Sequence, residues 1–165
     1  MLEQHDMDKM GNTDNTDVLN QKEKERKENV ANMLEKARVY HEKYLLRNNT
    51  SDMESAVNYY IQAIKLNPQI PETYYRLACL MFENGQISLD SAIEQCKMAI
   101  DIAPENPNAH LYTGYFLKLA NDFDEAEKEF KNAIKVSPLN SARPRLILAT
   151  MLYQKINNVK PSLVD

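Results

Sequence analysis

Small, large and polar side chains recur in the same order in three stretches of thirteen residues. The stretches begin at Ala56, Ala92 and Ala126 and read AVNYYIQAIKLNP, AIEQCKMAIDIAP and AEKEFKNAIKVSP. Each has Ala at its first and eighth positions, a Tyr, Cys or Phe at its fifth, and Pro at its thirteenth. Apolar residues three and four apart indicate one face of a helix, and the terminal Pro cannot continue that helix. We therefore predict three helices, each with a face of small residues that lets a neighbouring helix approach closely.

A second helical pattern precedes two of these blocks. PETYYRLACLMFENG starts at Pro71 and PNAHLYTGYFLKLAN starts at Pro107, and Pro is well tolerated in the first turn of a helix. Ser88 and Asp122 follow these patterns as predicted N-caps, with Asp122 and Glu125 forming a predicted capping box. The chain contains only 3 Gly and no Trp, which also favours helices over a turn-rich β fold. The sequence predicts an all-α fold built from helix pairs.

These repeated units resemble the tetratricopeptide repeat (TPR), a helix–turn–helix motif of 34 residues. Residues 107–140 match it best, residues 71–106 match with a two-residue insertion, and the preceding unit matches less well because His41 stands where a small residue is usual. The first helix of that unit fits if Ala37, Tyr40 and Tyr44 take the packing positions. The resemblance spans roughly residues 34–140 and implies a right-handed α-solenoid of antiparallel helix pairs. It also implies a non-catalytic protein-protein interaction module, an adaptor or scaffold.

The ends of the chain differ from the repeats. Residues 1–17 are polar and rich in Asn and Asp, so we expect them to be disordered. Residues 18–140 would then hold the three units and an extended N-terminal helix. The charged run KEKERKE in that helix indicates a solvated face with local ion pairs, or alternatively a binding arm.

Residues 141–165 resemble the terminal helix that closes such arrays. Four consecutive residues of this helix, 146–149, are apolar. Consecutive residues cover every side of a helix, so its outer face is predicted to be apolar as well. A second subunit could cover that face in a homodimer, or sequence beyond this chain could cover it. The residues of this predicted oligomer face are Leu146, Ile147, Leu148 and Leu152, with Ala149 between them.

Charge and composition exclude several classes of partner. The formal net charge of −4, with acidic and basic residues mixed, argues against nucleic acid and anionic membranes. No apolar run reaches the roughly 18 residues that a membrane-spanning helix needs, and the N-terminus lacks the features of a signal peptide. We therefore expect a cytoplasmic protein that does not insert into membranes. Cys79 and Cys96 are expected to be buried, reduced thiols.

No catalytic or metal-binding constellation is recognisable. His5, His41 and His110 do not have the spacing of a metal site, and packing accounts for the last two. The carboxylates from Asp122 to Glu125 lack the Gly and bidentate Glu of a calcium loop, so a helix start explains them. We expect no enzyme activity, no cofactor and no metal.

The resemblance also implies a binding surface, since the first helices of successive family units line a concave groove. The positions that correspond are Tyr75, Arg76, Cys79, Phe82, Leu111, Tyr112, Tyr115, Lys118 and Arg145, with Ala149 beside them. These residues would bind a peptide or helix of another protein. Two alternatives are that Tyr75, Phe82 and Tyr115 belong partly to the core, and that the N-terminal helix of the chain covers the groove.

Some family members use Lys, Arg and Asn side chains in this groove to bind the C-terminal carboxylate of chaperones. This sequence departs from that pattern at Arg76, Asn108 and Tyr112, which argues against binding of chaperone tails. Two other functions stay open. One is a secretion chaperone similar to the three-repeat chaperones of type III secretion, and the other is an N-terminal regulatory segment of a longer enzyme.

Overall fold

The computed structural model describes the backbone of residues 4–137 and 142–158 and the side chains of residues 16–137 and 142–152. Within those residues the regular structure is helical, with no strand. The helices are α1 (Gln4–Arg47), α2 (Thr50–Leu66), α3 (Pro71–Glu83), α4 (Leu89–Ile102), α5 (Pro107–Leu119), α6 (Phe123–Val136) and α7 (Ala142–Asn158). The chain divides into two compact units, Met1–Pro68 and Gln69–Asp165.

In the first unit, α1 and α2 pack as a helix pair. The buried face of α1 carries Val30, Ala37 and His41, and that of α2 includes Ala56 and Tyr60. The His41 and Tyr60 rings meet edge to face with centroids 6.2 Å apart, so His41 packs as an aromatic side chain. Its position in the interface explains why a larger residue is accommodated where the repeat usually has a small one.

The first helix is longer than the sequence indicates. The structure has helix from Gln4 onward, whereas we expected disorder in residues 1–17. Only one Gly and no Pro interrupt this segment, and a helix that has already formed adds residues more readily than a new helix starts. The helix therefore extends beyond the face that packs on α2.

The charged run of α1 includes the predicted ion pairs and one contact that we did not predict. Glu23 lies 3.9 Å from Arg26 and 3.5 Å from Lys27, on an exposed face. Arg26 also donates hydrogen bonds from Nε and Nη2 to the carbonyl of Leu66, at 2.9 and 2.6 Å. That carbonyl lies at the end of α2, where backbone oxygens have no partner within the helix. Arg26 thus caps α2 from α1, 40 residues away in sequence.

In the second unit, each helix packs against the next in chain order, and α3 also contacts α5. The repeated small positions Ala92, Ala99, Ala126 and Ala133 are all fully buried. The fifth positions, Tyr60, Cys96 and Phe130, are fully buried too, each within its own unit. The predicted all-α solenoid of helix pairs is confirmed, because the small residues and the large residue between them form the helix contacts as predicted.

The turn inside each helix pair contains one residue in the left-handed region. Asn48, Gly85 and Asn121 have φ values of 50°, 67° and 62°. After α3, Gln86 N donates to Met81 O and Gly85 N donates to Phe82 O, and the same two bonds follow α5 at Asp122 and Asn121. This is the Schellman arrangement, which uses the last carbonyls of a helix and favours Gly or Asn.

The predicted N-caps are confirmed, but the reciprocal half of the capping box is not formed. Ser88 accepts from Ser91 N at 3.2 Å, and Asp122 accepts from Glu125 N at 3.3 Å. The amide of Asp122 donates to Leu117 O instead of to the Glu125 side chain, which pairs with Lys128. The Schellman turn has already used the donor that the capping box requires.

The predicted helix ends agree with the structure where it is described. The helices α2 and α4 end at Leu66 and Ile102, each shortly before its proline. Helix α6 ends at Val136, while Pro138 lies outside the described residues. Helix α7 lies in the predicted terminal segment, whose last residues, 159–165, also lie outside the described part.

Candidate functional site

The predicted groove residues of α3 and α5 form two aromatic clusters in the second unit. The first cluster is a stack of Tyr75 on Tyr112, with ring centroids 5.0 Å apart and planes inclined by 12°. The side chain of Asn108 hydrogen-bonds Tyr75, and that of Arg143 hydrogen-bonds Tyr112. Burial raises the pKa of both hydroxyls, although Arg76 and Arg143 offset part of the rise for Tyr112. Both phenols therefore stay protonated near neutral pH.

Two arginines lie beside this stack. Arg76 Nε is 2.7 Å from a carboxylate oxygen of Glu72, one turn earlier on α3. Arg143, at the start of α7, is exposed and interacts with Tyr112 and Cys79. The sequence analysis named Arg145 as the groove arginine of this terminal helix. Arg145 is also exposed, but the structure brings Arg143, two positions earlier, onto the Tyr112 hydroxyl.

The second cluster is a row of three rings. Phe116 of α5 meets Phe82 of α3 edge to face at 5.4 Å, and its neighbour Tyr115 lies at the same centroid distance. Phe116 is buried, Phe82 is half-buried and Tyr115 is 45% exposed. The buried Phe116 ring thus lies between the other two and contacts the exposed ring of Tyr115.

The predicted groove residues differ in how much surface they offer. Tyr75 and Leu111 are only 4% and 5% exposed, so they support the surface and offer little contact area. Cys79, Tyr112 and Lys118 are half-buried. The alternative in which Tyr75, Phe82 and Tyr115 belong partly to the core thus fits Tyr75, whereas Phe82 is half-buried and Tyr115 is available for contact.

The predicted oligomer face of α7 is only partly exposed. Leu146 is 68% exposed, while Ile147, Leu148 and Leu152 are half-buried. Met151, which we did not single out, is fully buried. Helix α7 packs against α6 through one side, which leaves Leu146 as the strongly exposed member of the face.

Comparison with known proteins agrees with this architecture. Two tetratricopeptide repeat models match this chain. One matches residues 37–70, in the first predicted unit, and the other matches residues 59–94, from the second helix of that unit into the second unit. The Sgt2 TPR domain from Aspergillus fumigatus superposes with a TM-score of 0.65 at 17% identity, covering 82% of this chain and 86% of that one. The repeat models and the fold point to the same family.

The chain contains tetratricopeptide repeats.

Two further proteins resemble this TPR chain. The first TPR of Spaghetti (RPAP3), bound to the HSP90 peptide SRMEEVD, has a TM-score of 0.59 at 18% identity, covering 74% of this chain and 98% of that one. The small glutamine-rich tetratricopeptide repeat-containing protein 2 of Mycosarcoma maydis is 29% identical over 99 residues. That alignment covers 60% of this chain but only 28% of the fungal protein.

Gly114 allows α5 and α6 to approach each other closely. A Cβ atom built on Gly114 would lie 2.8 Å from Cε1 and 2.9 Å from Cδ1 of Phe130. Real Cβ atoms do not approach that closely, so the Phe130 ring occupies the space that a side chain at position 114 would need. The small residue of one repeat helix is thus matched to the large residue of the next.

His110 has a bonding role in the TPR structure that packing alone did not predict. Its Nδ1 lies 2.6 Å from a carboxylate oxygen of Glu129 on α6, and its Nε2 lies 2.8 Å from the carbonyl of Pro104. Its side chain is 8% exposed and that of Glu129 is 14% exposed. His110 therefore connects α5 to α6 and to the loop that precedes α5.

Among the described residues, no group of three His, Cys, Asp or Glu side chains is placed to hold a metal ion. Nor does any helix in the described part combine the length and apolar character needed to cross a membrane.

The two thiols are free, and we expect them to react slowly in the folded protein. Burial raises the pKa of Cys79 to about 12, with Glu83 adding to the rise, and burial also raises the pKa of Cys96. Since the thiolate is the reactive form, iodoacetamide at pH 8 should label both at least roughly tenfold more slowly than in unfolded protein. Mass spectrometry of native and urea-treated samples measures this. Labelling of Cys96 at equal rates in both samples would contradict it.

Proposed function

We propose that this chain is a non-catalytic protein-protein interaction module, an adaptor or scaffold, that binds a peptide or helix of a partner protein. The binding surface is the α3–α5–α7 face, defined by Arg76, Phe82, Tyr112, Tyr115, Lys118, Arg143 and Arg145. The observation that carries the proposal is the ring row that ends in exposed Tyr115 beside the Tyr75–Tyr112 stack. Aromatic side chains held rigidly offer large contact area at low entropic cost and are enriched among binding hot spots.

The structural relative with a bound peptide supports this class of function, because the first TPR of RPAP3 binds its HSP90 peptide as a separate TPR domain. We do not extend that ligand to this chain. Arg76, Asn108 and Tyr112 stand where the resemblance calls for the side chains that bind a chaperone tail. Asn108 and Tyr112 are also engaged in the aromatic cluster.

Replacing Tyr115 with Ala should weaken partner binding by about 2 kcal/mol, or roughly thirtyfold, because it removes the exposed end of the ring row. The matched control is Lys128→Ala, which removes an exposed side chain on α6 that pairs with Glu125 at the surface. A pull-down from the native cell identifies the partner, and calorimetry with the purified partner measures both variants. Circular dichroism first establishes that each variant is folded.

Equal loss of binding in the two variants, or loss in neither, would show that the α3–α5–α7 face is not the binding surface. The charged start of α1 would then be tested, since it is the alternative binding arm.

The exposure of Leu146 supports a second proposal, a homodimer formed through α7. Leu146 adjoins the half-buried Ile147 and Leu148, and apolar surface patches are typical of interfaces. Sedimentation velocity at about 100 µM should show a dimer for the wild type and a monomer for Leu146→Gln, with Lys131→Gln, on exposed α6 surface, as control. A clean wild-type monomer at that concentration would exclude the dimer.

Two other functions remain alternatives to the adaptor. A secretion chaperone would be encoded beside secretion genes, so the genetic neighbours discriminate it. A regulatory segment of a longer enzyme would lie in a longer reading frame, and this chain does align with only 28% of its fungal relative. Location in the cytoplasm belongs to the adaptor proposal and is tested by fluorescence microscopy of the tagged protein.

A further inference from the structure

We infer that the partner segment is acidic and that one of its Asp or Glu side chains binds Arg143 at the cavity between the starts of α5 and α7. This inference rests on the proposed function, because it names the chemistry of the ligand on the same face. It differs from capture of a chain-terminal carboxylate, since the acidic group belongs to a side chain inside the segment.

The cavity has the size and lining for such a group. Its volume is about 220 Å³, and Pro107, Asn108 and Leu111 of α5, Ser137 after α6, and Arg143 and Pro144 of α7 line it. None of these described side chains is acidic. A carboxylate that enters the cavity therefore meets one cation, polar groups and apolar walls.

Arg143 is the cation available to a ligand here. Its neighbour Arg76 already pairs with Glu72 at 2.7 Å. Arg143 is exposed, and among the described side chains it contacts the Tyr112 hydroxyl and no carboxylate. A guanidinium has five N–H donors, so Arg143 keeps its bond to Tyr112 while donating two parallel bonds to a carboxylate. The Tyr112 contact also holds the guanidinium in place, which reduces the entropy lost on binding.

The distribution of charge in the second unit favours an acidic ligand on this face. Among described side chains, α3, α5 and α7 carry four cations and two acids, whereas α4 and α6 carry four cations and seven acids. The cations of the first group are Arg76, Lys118, Arg143 and Arg145. An acidic segment is thus attracted to α3, α5 and α7 and repelled by the other helices, although the chain as a whole is acidic.

The same geometry sets the spacing within the ligand. The Arg143 site lies at Tyr112, and exposed apolar side chains follow along α5 at Tyr115 and Leu119, which are 45% and 42% exposed. Seven residues of helix separate Tyr112 from Leu119, or about 10 Å at 1.5 Å per residue. An acidic residue and an apolar anchor about 10 Å apart are two turns apart in a helical ligand and roughly three residues apart in an extended one.

Selection from a phage-displayed library of random 12-residue peptides, fused so that their C-termini are not free, tests the inference. We expect the wild type to enrich peptides with Asp or Glu and a Leu or Phe at that spacing. Arg143→Glu should lose this acidic preference, and Arg143→Gln should weaken binding of the selected peptides at least tenfold. Lys128→Glu, an equal charge change on α6, is the control and should select the same peptides as the wild type.

Three results would overturn the inference. The first is no enrichment over an unrelated helical protein, the second is enrichment of peptides without acidic residues, and the third is an unchanged acidic preference in Arg143→Glu. A selected peptide that binds as a free acid but not as its C-terminal amide would also refute an internal carboxylate. If Tyr115→Ala abolishes binding of enriched peptides that lack acidic residues, the proposed binding face stands while the Arg143 site fails.

Discussion

Phe130→Ala is expected to lower the free energy of unfolding by about 4 kcal/mol, because Phe or Trp to Ala changes in a core cost roughly 3–5 kcal/mol. The Phe130 ring is fully buried on α6 and fills the space beside Gly114 of α5. Removing it leaves a cavity at the contact of two helices that already approach closely. Urea denaturation followed by circular dichroism measures the change.

Gly114→Ala provides a test of the mechanism, because its effect should depend on Phe130. In the wild type, the new Cβ would lie 2.8 Å from Cε1 of the ring, so overpacking should destabilise the protein by roughly 1–3 kcal/mol. In the Phe130→Ala background the space is free, and Ala should stabilise α5 by about 1 kcal/mol through its higher helix propensity. The double-mutant cycle should therefore show a change of sign. Equal effects of Gly114→Ala in both backgrounds would contradict the contact.

The Gly114–Phe130 contact belongs to the part of the fold that the sequence predicts well. Small and large residues repeat at helical spacing there, and each position is set by a local period and by the packing of adjacent helices. Caps at Ser88 and Asp122 are predictable for the same reason, since a cap joins a side chain to amides a few residues away. The part of α1 before residue 18 was not predicted, because its polar composition indicates disorder, whereas helix propagation depends on the helix that already follows it.

Contacts between distant residues are the part that the sequence does not predict. Arg26 reaches a carbonyl 40 positions away, and which of several basic residues in the charged run does so depends on the rotation of α1. The choice between Arg143 and Arg145 is similar. Residues two apart point to different sides of a helix, so the rotation of α7 about its axis decides which arginine reaches Tyr112.

His110 and Glu129 form another contact of this kind, and replacing His110 with Ala should cost about 3 kcal/mol of stability. A carboxylate oxygen of Glu129 and the carbonyl oxygen of Pro104 both lie within hydrogen-bond distance of the His110 ring nitrogens. Ala would leave both oxygens without this donor in a site where little water reaches them. Loss of one partner from a buried, hydrogen-bonded pair is costly for that reason.

The carboxylate side of the pair can be tested on α6 itself. Glu129→Ala should destabilise the protein by about 2 kcal/mol, whereas Glu125→Ala on the same helix should change stability by less than about 0.5 kcal/mol. Glu125 is 53% exposed and pairs with Lys128 at the surface, while Glu129 is 14% exposed. If the two residues act as a pair, His110→Ala and Glu129→Ala together should cost less than the sum of the single changes, because the double variant has no unpaired carboxylate or imidazole. Urea denaturation of the four proteins measures the coupling. Additive effects, or equal effects of Glu125→Ala and Glu129→Ala, would show that the His110–Glu129 contact does not stabilise the second unit.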